Sequence, residues 1–408
     1  MKKYISILIL LFMTTFISAC SAVPDEVKND MSNYWNVDND INDQFEFTYI
    51  KTADLKDDVE KALAQNYNQF NLSENIDFLK PEEINIMTFK YTENFEKNYI
   101  DILKLFFTQK EIEFQKINSS IDNTGSLSYS FWNEADKIYG CVSDNGFIAV
   151  LKPDAFDISF SYNEPNVKIY HIDRGDDLSD VYQLKNGRCS IEEAVDYINN
   201  WFATEYKTFA SDYDYNVKTV IVREHEDYYL FEITVEVFYH GIPLDSITMI
   251  SDTDEKNQAM YMKYTSNKIE IQMINVNQID SFTNCTGILE PIETEIVDEC
   301  ISLESALRYC EKTFTDFKDV TISDIGLKYI TSPVYDYIGN ESIMQNPYSA
   351  GITVNSHPVW EFIIDVEPSE FLRDGEKNTY GDVRKYIYID IITGELFYQL
   401  DTVLQGTG

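Results

Sequence analysis

Basic residues are scarce in this chain. Across 408 residues, 32 Lys and Arg stand against 70 Asp and Glu, a formal net charge of −38. A field of that sign repels nucleic acid and anionic lipid head groups, so neither is an expected partner. It permits basic proteins, cationic peptides and divalent metals, although its plainest use is a solvated surface that stands away from an acidic envelope. Histidine is rarer still: His171, His225, His240 and His357 include no HExxH and no other paired-ligand spacing. A Gly-rich phosphate loop and a GxSxG nucleophile elbow are both missing. No cysteine pair has the CxxC spacing of a redox or zinc site. These absences remove the usual catalytic constellations, and the expectation is a protein that is not an enzyme and holds no metal or cofactor.

Long apolar runs are also absent after the first twenty residues. Those twenty are distinctive. Lys2 and Lys3 form a short positive region, Ile5 to Phe16 is apolar except for Ser6, Thr14 and Thr15, and Ile17-Ser18-Ala19-Cys20 closes the segment. The order is that of a secretory signal, and the apolar stretch falls short of the roughly 20 residues that span a bilayer. The last four residues resemble the bacterial lipobox: a branched apolar residue, two small ones, then the cysteine whose thiol accepts the lipid. Small side chains at Ser18 and Ala19 let a peptidase approach the backbone. Residues 1–20 are therefore expected to be removed, and Cys20 is the expected lipidation site, tethering the protein to the extracytoplasmic face of the membrane through buried CH₂ groups. Cleavage would remove two lysines and no acid, deepening the negative charge. With only six Arg and abundant Asn, Ile, Tyr and Phe, the composition resembles that of an AT-rich, Gram-positive, clostridial genome.

Five cysteines remain, Cys141, Cys189, Cys285, Cys300 and Cys310. An oxidising compartment permits disulfides, and pairing of Cys285 with Cys300, or of Cys189 with either, stays open. The odd count and the apolar surroundings favour mostly buried free thiols. Two segments, Asp38 to Asn42 and Asp212 to Asn216, open like an EF-hand loop. Position six is then Asp43 or Val217 where Gly is needed, and position twelve is Tyr49 or Arg223 where Glu is needed. His225 sits in an acidic stretch read as a solvated turn, and His240 and His357 are read as loop residues beside Gly241 and Pro358.

Residues 21–45 lack periodicity and are Asn/Asp-rich from Asn33 to Gln44, as expected of a flexible tether. Residues 46–180 alternate between periods. Phe45 to Ile50 and Ile84 to Phe89 read as strands, Leu55 to Phe70 and Tyr99 to Thr108 as helices, and the strands Leu127 to Phe131, Tyr139 to Val142, Phe147 to Val150 and Phe156 to Tyr162 follow. Asn145-Gly146 between two apolar runs predicts a hairpin.

A repeat organises the remainder. Residues 190–202 (Ser-Ile-Glu-Glu-Ala-Val-Asp-Tyr-Ile-Asn-Asn-Trp-Phe) and 302–314 (Ser-Leu-Glu-Ser-Ala-Leu-Arg-Tyr-Cys-Glu-Lys-Thr-Phe) align without a gap. Ile191, Ala194, Val195, Ile198 and Phe202 share one helical face, and Leu303, Ala306, Leu307, Cys310 and Phe314 match them. Ser190 and Ser302 are natural N-caps, with Glu193 completing a capping box. Strand patterns follow each helix. The expected architecture is α+β with tandem domains, each a helix packed on a curved antiparallel β-sheet: an N-terminal α+β domain at 46–180 and repeats at 181–295 and 296–408.

The closing Tyr388-Ile389-Asp390-Ile391-Ile392-Thr393-Gly394-Glu395-Leu396 resembles the terminal hairpin of the PepSY superfamily. Asp390 would accept bonds from turn amides, and Gly394 would take the left-handed conformation. Pro358 to Phe362 and the Ser-Leu-Glu-Ser-Ala helix opening look PepSY-like too, and residues 190–280 do so more loosely. A tandem of such modules behind a lipobox is similar to clostridial lipoproteins of unassigned role and to extracytoplasmic regulators of the WalK sensor kinase. The resemblance implies a non-catalytic module that binds or regulates an envelope protein or peptide. The alternative is a ligand-binding lipoprotein for a small solute or cation.

Overall fold

Most of the apolar alternation in this sequence becomes β-strand, because a strand with one buried face repeats every two residues. The computed structural model describes residues 45–73, 76, 78, 81, 83–91, 100–106, 115–121, 127–133, 137–143, 148–156, 168–172, 175–225, 227–250, 261–265, 269–284, 289–313, 320–333, 353–366, 383–394 and 396–402. Among them β1 (Tyr49–Lys51), α1 (Leu55–Leu63), β2 (Phe70–Leu72) and β3 (Asn85–Tyr91) come first. They are followed by β4 (Gln115–Ile121), β5 (Leu127–Asn133), β6 (Ile138–Ser143), β7 (Ile148–Leu151), the single turn α2 (Pro153–Phe156) and β8 (Lys168–His171). The middle of the chain holds β9 (Val181–Leu184), β10 (Gly187–Ser190), α3 (Ile191–Thr204), β11 (Tyr213–His225), β12 (Tyr228–Tyr239), β13 (Ile242–Ile250), β14 (Tyr261–Thr265), β15 (Ile269–Met273) and β16 (Ser281–Asn284). Last come β17 (Leu289–Ile296), β18 (Glu299–Ile301), α4 (Leu303–Thr313), β19 (Val320–Pro333), β20 (Thr353–Val366), β21 (Val383–Asp390) and β22 (Leu396–Thr402). The fold is mixed α and β, with mostly strands, few helices and large antiparallel-rich sheets.

In the first sheet the strands lie in the order β4, β5, β6, β7, β16, β15, β12, β11, β8, every neighbour antiparallel. The second is built on the long pair β19–β20. Beyond β20 lie β21 and then β22 along one half, and β3 and then β17 along the other. On the far side of β19, β2 and β13 add in parallel, with β14 outside β13. The first two residues of β13 also pair with the end of β12, joining both sheets in one hydrogen-bonded network. The left-handed pair His240 (φ 50°) and Gly241 (φ 79°) makes that tight β12–β13 turn. Strands of residues 46–180 therefore divide: β1 to β3 go to the second sheet and to β18, β4 to β8 to the first.

The helices form where the apolar spacing and caps direct them. Ser190 Oγ accepts the Glu193 amide at 3.1 Å, and the Glu193 carboxylate accepts the Ser190 amide at 2.8 Å, a complete capping box. Ile191, Ala194, Val195, Ile198 and Phe202 are all buried, and the Phe202 ring stacks on Tyr215 of β11 at 4.9 Å. In α4 the Ser302 hydroxyl accepts the Ser305 amide at 3.1 Å, and Leu303, Ala306, Leu307 and Cys310 are buried. Phe314 lies outside the described residues. α1 is shorter than the expected 55–70, because Phe70 to Leu72 pair with β19 as a strand. It lies against α4, where its Asp58 carboxylate accepts the Leu303 amide at 2.7 Å and so caps a helix 245 positions away. The strand expected from Phe156 begins instead as the last residue of α2, and the rest of it lies outside the described residues.

A group of four charges closes the space between the sheets. Lys328 of β19, only 3% exposed at its side chain, places Nζ 2.9 Å from the Glu361 carboxylate of β20 and 3.7 Å from that of Glu236 on β12. Glu236 also meets Lys218, which occupies a bulge in β11, at 2.8 Å. A buried ammonium needs such partners, and the two carboxylates need it. Replacing it with an apolar chain of similar volume, Lys328→Met, is expected to lower the unfolding free energy by about 3–5 kcal/mol in equilibrium urea denaturation, and a loss under about 1 kcal/mol would show that these charges do not hold the sheets together.

Candidate functional site

Polar groups that the fold buries are the first places to look for chemistry. At the β21–β22 hairpin, Asp390 is buried, and its Oδ1 accepts the amides of Ile392 at 2.8 Å and Thr393 at 2.9 Å. Gly394 has φ 74°, and a Cβ there would fall 2.2 Å from the Phe47 ring. The turn thus requires glycine twice over, once for backbone and once for space. The other Asp390 oxygen lies 3.1 Å from His357 Nδ1. Burial alone would raise the Asp390 pKa, but the His357 contact and the two turn amides outweigh it and hold the carboxyl below its usual range. His357 is consequently not a loop residue. It lies within β20 and is fixed by a carboxylate.

An equivalent aspartate, unmarked by any motif, organises the β15–β16 connection. Asp280 is fully buried, and its Oδ2 accepts the amides of Ile274 at 2.8 Å and Asn275 at 2.9 Å. Asn275 in turn donates to Asp154 at 2.8 Å, and Lys185 pairs with that same residue at 2.7 Å. These contacts satisfy backbone donors and tie loops together.

The remaining candidates are dispersed. His171 ends β8, His225 stacks on Tyr228 at 5.1 Å at the end of β11, and His240 sits in the β12–β13 turn. Asp214 and Asn216 are strand residues of β11 that alternate with buried Tyr213 and Tyr215, and Asp214 pairs with Lys207, so this stretch forms an ordinary strand edge. The Asp38 to Asn42 segment lies outside the described residues, as do Cys285 and the expected lipidation residue Cys20. Cys141, Cys189, Cys300 and Cys310 are buried thiols that form no disulfide. Burial pushes Cys141, Cys189 and Cys300 up to about 11 and Cys310 higher still, the reverse of what a nucleophile needs.

The surface offers something different at β17. Among the described residues its one ladder neighbour is β3, paired from Leu289 to Ile296 with a bulge between Pro291 and Glu293. The Val297 amide donates to Ile84 O at 2.9 Å. That bond sets the parity of the antiparallel pair, in which residues exchange both bonds or neither in alternation. Glu293 and Glu295 bond to β3, whereas Thr294 and Ile296 turn their N–H and C=O groups away from it. Side chains alternate with them. Thr294 and Ile296 stand opposite buried Met87 and Asn85 and carry that inner face outward, leaving Ile296 61% exposed. Glu293 and Glu295 project from the other face, both exposed. Ile292, at the bulge, is 51% exposed. Pro291 is where prolines are tolerated in sheets, on an edge. The signal was legible in part: Pro291 marks an edge strand, but only the register shows which backbone groups face out.

Among the described residues no helix is long and apolar enough to cross a membrane, and no group of three or more acidic, histidine or cysteine side chains could hold a metal ion. No protein-family model matches this chain, and no curated protein does. Among solved structures the chain is similar to an uncharacterised protein from Eubacterium rectale, at 16% identity over 84% of this chain and 98% of that one, with a TM-score of 0.49.

Two measurements follow from this geometry. Asp390 is lowered in the folded state, so its charge stabilises the fold fully above the ordinary carboxylate range, and that contribution is lost as pH falls through the lowered value. Asp390→Asn should therefore cost about 2 kcal/mol at neutral pH, a deficit that closes in acid, read from urea midpoints across a pH series. A deficit that persists unchanged in acid would show that the charge contributes nothing. The four buried thiols should resist iodoacetamide in the native protein and react together on unfolding, as followed by peptide mass spectrometry. Rapid native labelling of any of them would contradict its placement.

Proposed function

We propose that this protein is a membrane-anchored extracytoplasmic lipoprotein, held by a lipid on Cys20, whose role is to bind or regulate an envelope protein or peptide without catalysis. The observation that carries the reading is the β17 edge, where strand hydrogen-bonding groups and a large apolar side chain meet solvent beside acidic residues. Such an edge is a template for another chain, and proteins that recognise extended peptides use it in that way. The lipobox-like Ile17 to Cys20 supplies the anchor in this reading.

Within the same proposal, residues 181–295 and 296–408 are related PepSY-like halves, each a helix on an antiparallel sheet. Support comes from parallel construction. After α3, the long strands β11 and β12 pair, β12 pairs with β15, and β15 with β16. After α4, β19 and β20 pair, β20 pairs with β21, and β21 with β22. Both first strands carry a bulge near the start, after Val217 and after Ile322. β13 and β14 are then a hairpin inserted in the earlier copy.

In-cell crosslinking with affinity capture tests the reading, with Cys20→Ala as the unanchored control. A particular envelope protein should be recovered with the native chain and lost with Cys20→Ala. Recovery of nothing above background with crosslinkers of different reach would sink the proposal.

A further inference from the structure

We infer that Glu293–Ile296 of β17 is the docking site, and that its occupant is an extended segment of a partner protein in which basic and apolar residues alternate, added to the edge as a new strand. The inference rests on the binding role proposed above and specifies the surface and the partner's chemistry.

The backbone gives the mode of contact. Thr294 and Ile296 direct their N–H and C=O groups away from β3, as the Val297–Ile84 bond requires, and an incoming strand would meet those groups with its own. Side chains give the sequence preference, because neighbours on one face of a sheet interact in cross-strand pairs. On one face the added strand would lie beside Glu293 and Glu295, which call for Lys or Arg. On the other it would lie beside Thr294 and Ile296, where an apolar residue covers surface that Ile296 leaves 61% exposed. Residues of a strand alternate between faces, so basic and apolar side chains must alternate along the partner.

Charge also decides against other occupants. Acidic residues on an edge commonly guard against sheet-to-sheet aggregation. Here that guard works against a second copy, which would set Glu beside Glu under a net charge of −38 on each chain. It does not work against a basic strand. Pro291 and the bulge at Ile292 break the edge upstream, so the docking segment is short and lies between them and the bend at Asp298.

The test is fluorescence anisotropy with the full-length chain in detergent and a labelled ten-residue peptide of alternating Lys and Val. Two further peptides, alternating Glu and Val and alternating Lys and Ser, separate charge from apolar contact. Glu293→Lys combined with Glu295→Lys reverses the charge at exposed positions. Ile296→Pro removes an outward donor and leaves the bonds to β3 in place, with Glu295 already extended as a residue before proline must be. The Lys/Val peptide should bind saturably, and each of the other peptides and each variant should bind about tenfold more weakly, with thermal unfolding unchanged. Equal binding of the Lys/Ser peptide, or binding that Ile296→Pro leaves intact, would reduce the contact to attraction by an acidic surface and overturn the inference. So would the absence of saturable binding. Running the crosslinking capture on Ile296→Pro separates the two claims. A partner recovered undiminished removes this edge as the site and leaves the binding role standing, whereas no partner from either form removes the role itself.

Discussion

Lys328 is the group on whose burial the arrangement of the sheets depends. An ammonium taken out of water is tolerated only against well-placed counter-charges, and the two it meets come from different sheets, Glu236 on β12 and Glu361 on β20. Satisfying both sets the distance between the first pair of long strands and the second. Lys218 then balances Glu236 from a bulge in β11. Apolar packing alone would allow the sheets to slide by small amounts, because methylene contacts are non-directional. Charge contacts are directional and favour one offset, and the β12–β13 turn, which sends a hairpin from one sheet into the other, adds a backbone link between the same sheets.

What could be read from the sequence was local. The buried face of α3, its capping box, the limits of β12, the amides bound by Asp390 and the left-handed Gly394 all follow from residues within a few positions of one another. Periodicity reports which face is buried, but it does not report against what. Asp58 as a cap for α4, His357 as a strand residue facing Asp390, and β2 and β13 entering the second sheet in parallel are pairings across long sequence distances. No window of the sequence contains both partners. The shortening of α1 has the same origin: Phe70 to Leu72 fit a helix locally and a parallel strand globally, and the pairing with β19 decides.

The acidity of the chain also looks different beside the structure than as a total. Most of the described ion pairs are surface contacts, which contribute little to stability. At β17 the acids Glu293 and Glu295 lie exposed on a strand whose one ladder neighbour among the described residues is β3. Charge thus occurs in two settings, a buried group that spans both sheets and an exposed pair on β17 of the second sheet.

β1, β2 and β3 are made early and pair with strands made late. The Thr48 amide reaches the Ser305 hydroxyl across 257 positions, and β1 finds its ladder on β18. During synthesis these strands must therefore wait, unpaired, until most of the chain has been added, while β4 to β7 can pair with one another at once. Closing loops of that length is slow, and waiting strands are open to wrong partners. The first sheet can assemble around its own hairpins, so it is the natural nucleus. The second sheet, with its two borrowed strands β2 and β3, is expected to be the slower step of folding and the stage at which the chain most needs protection.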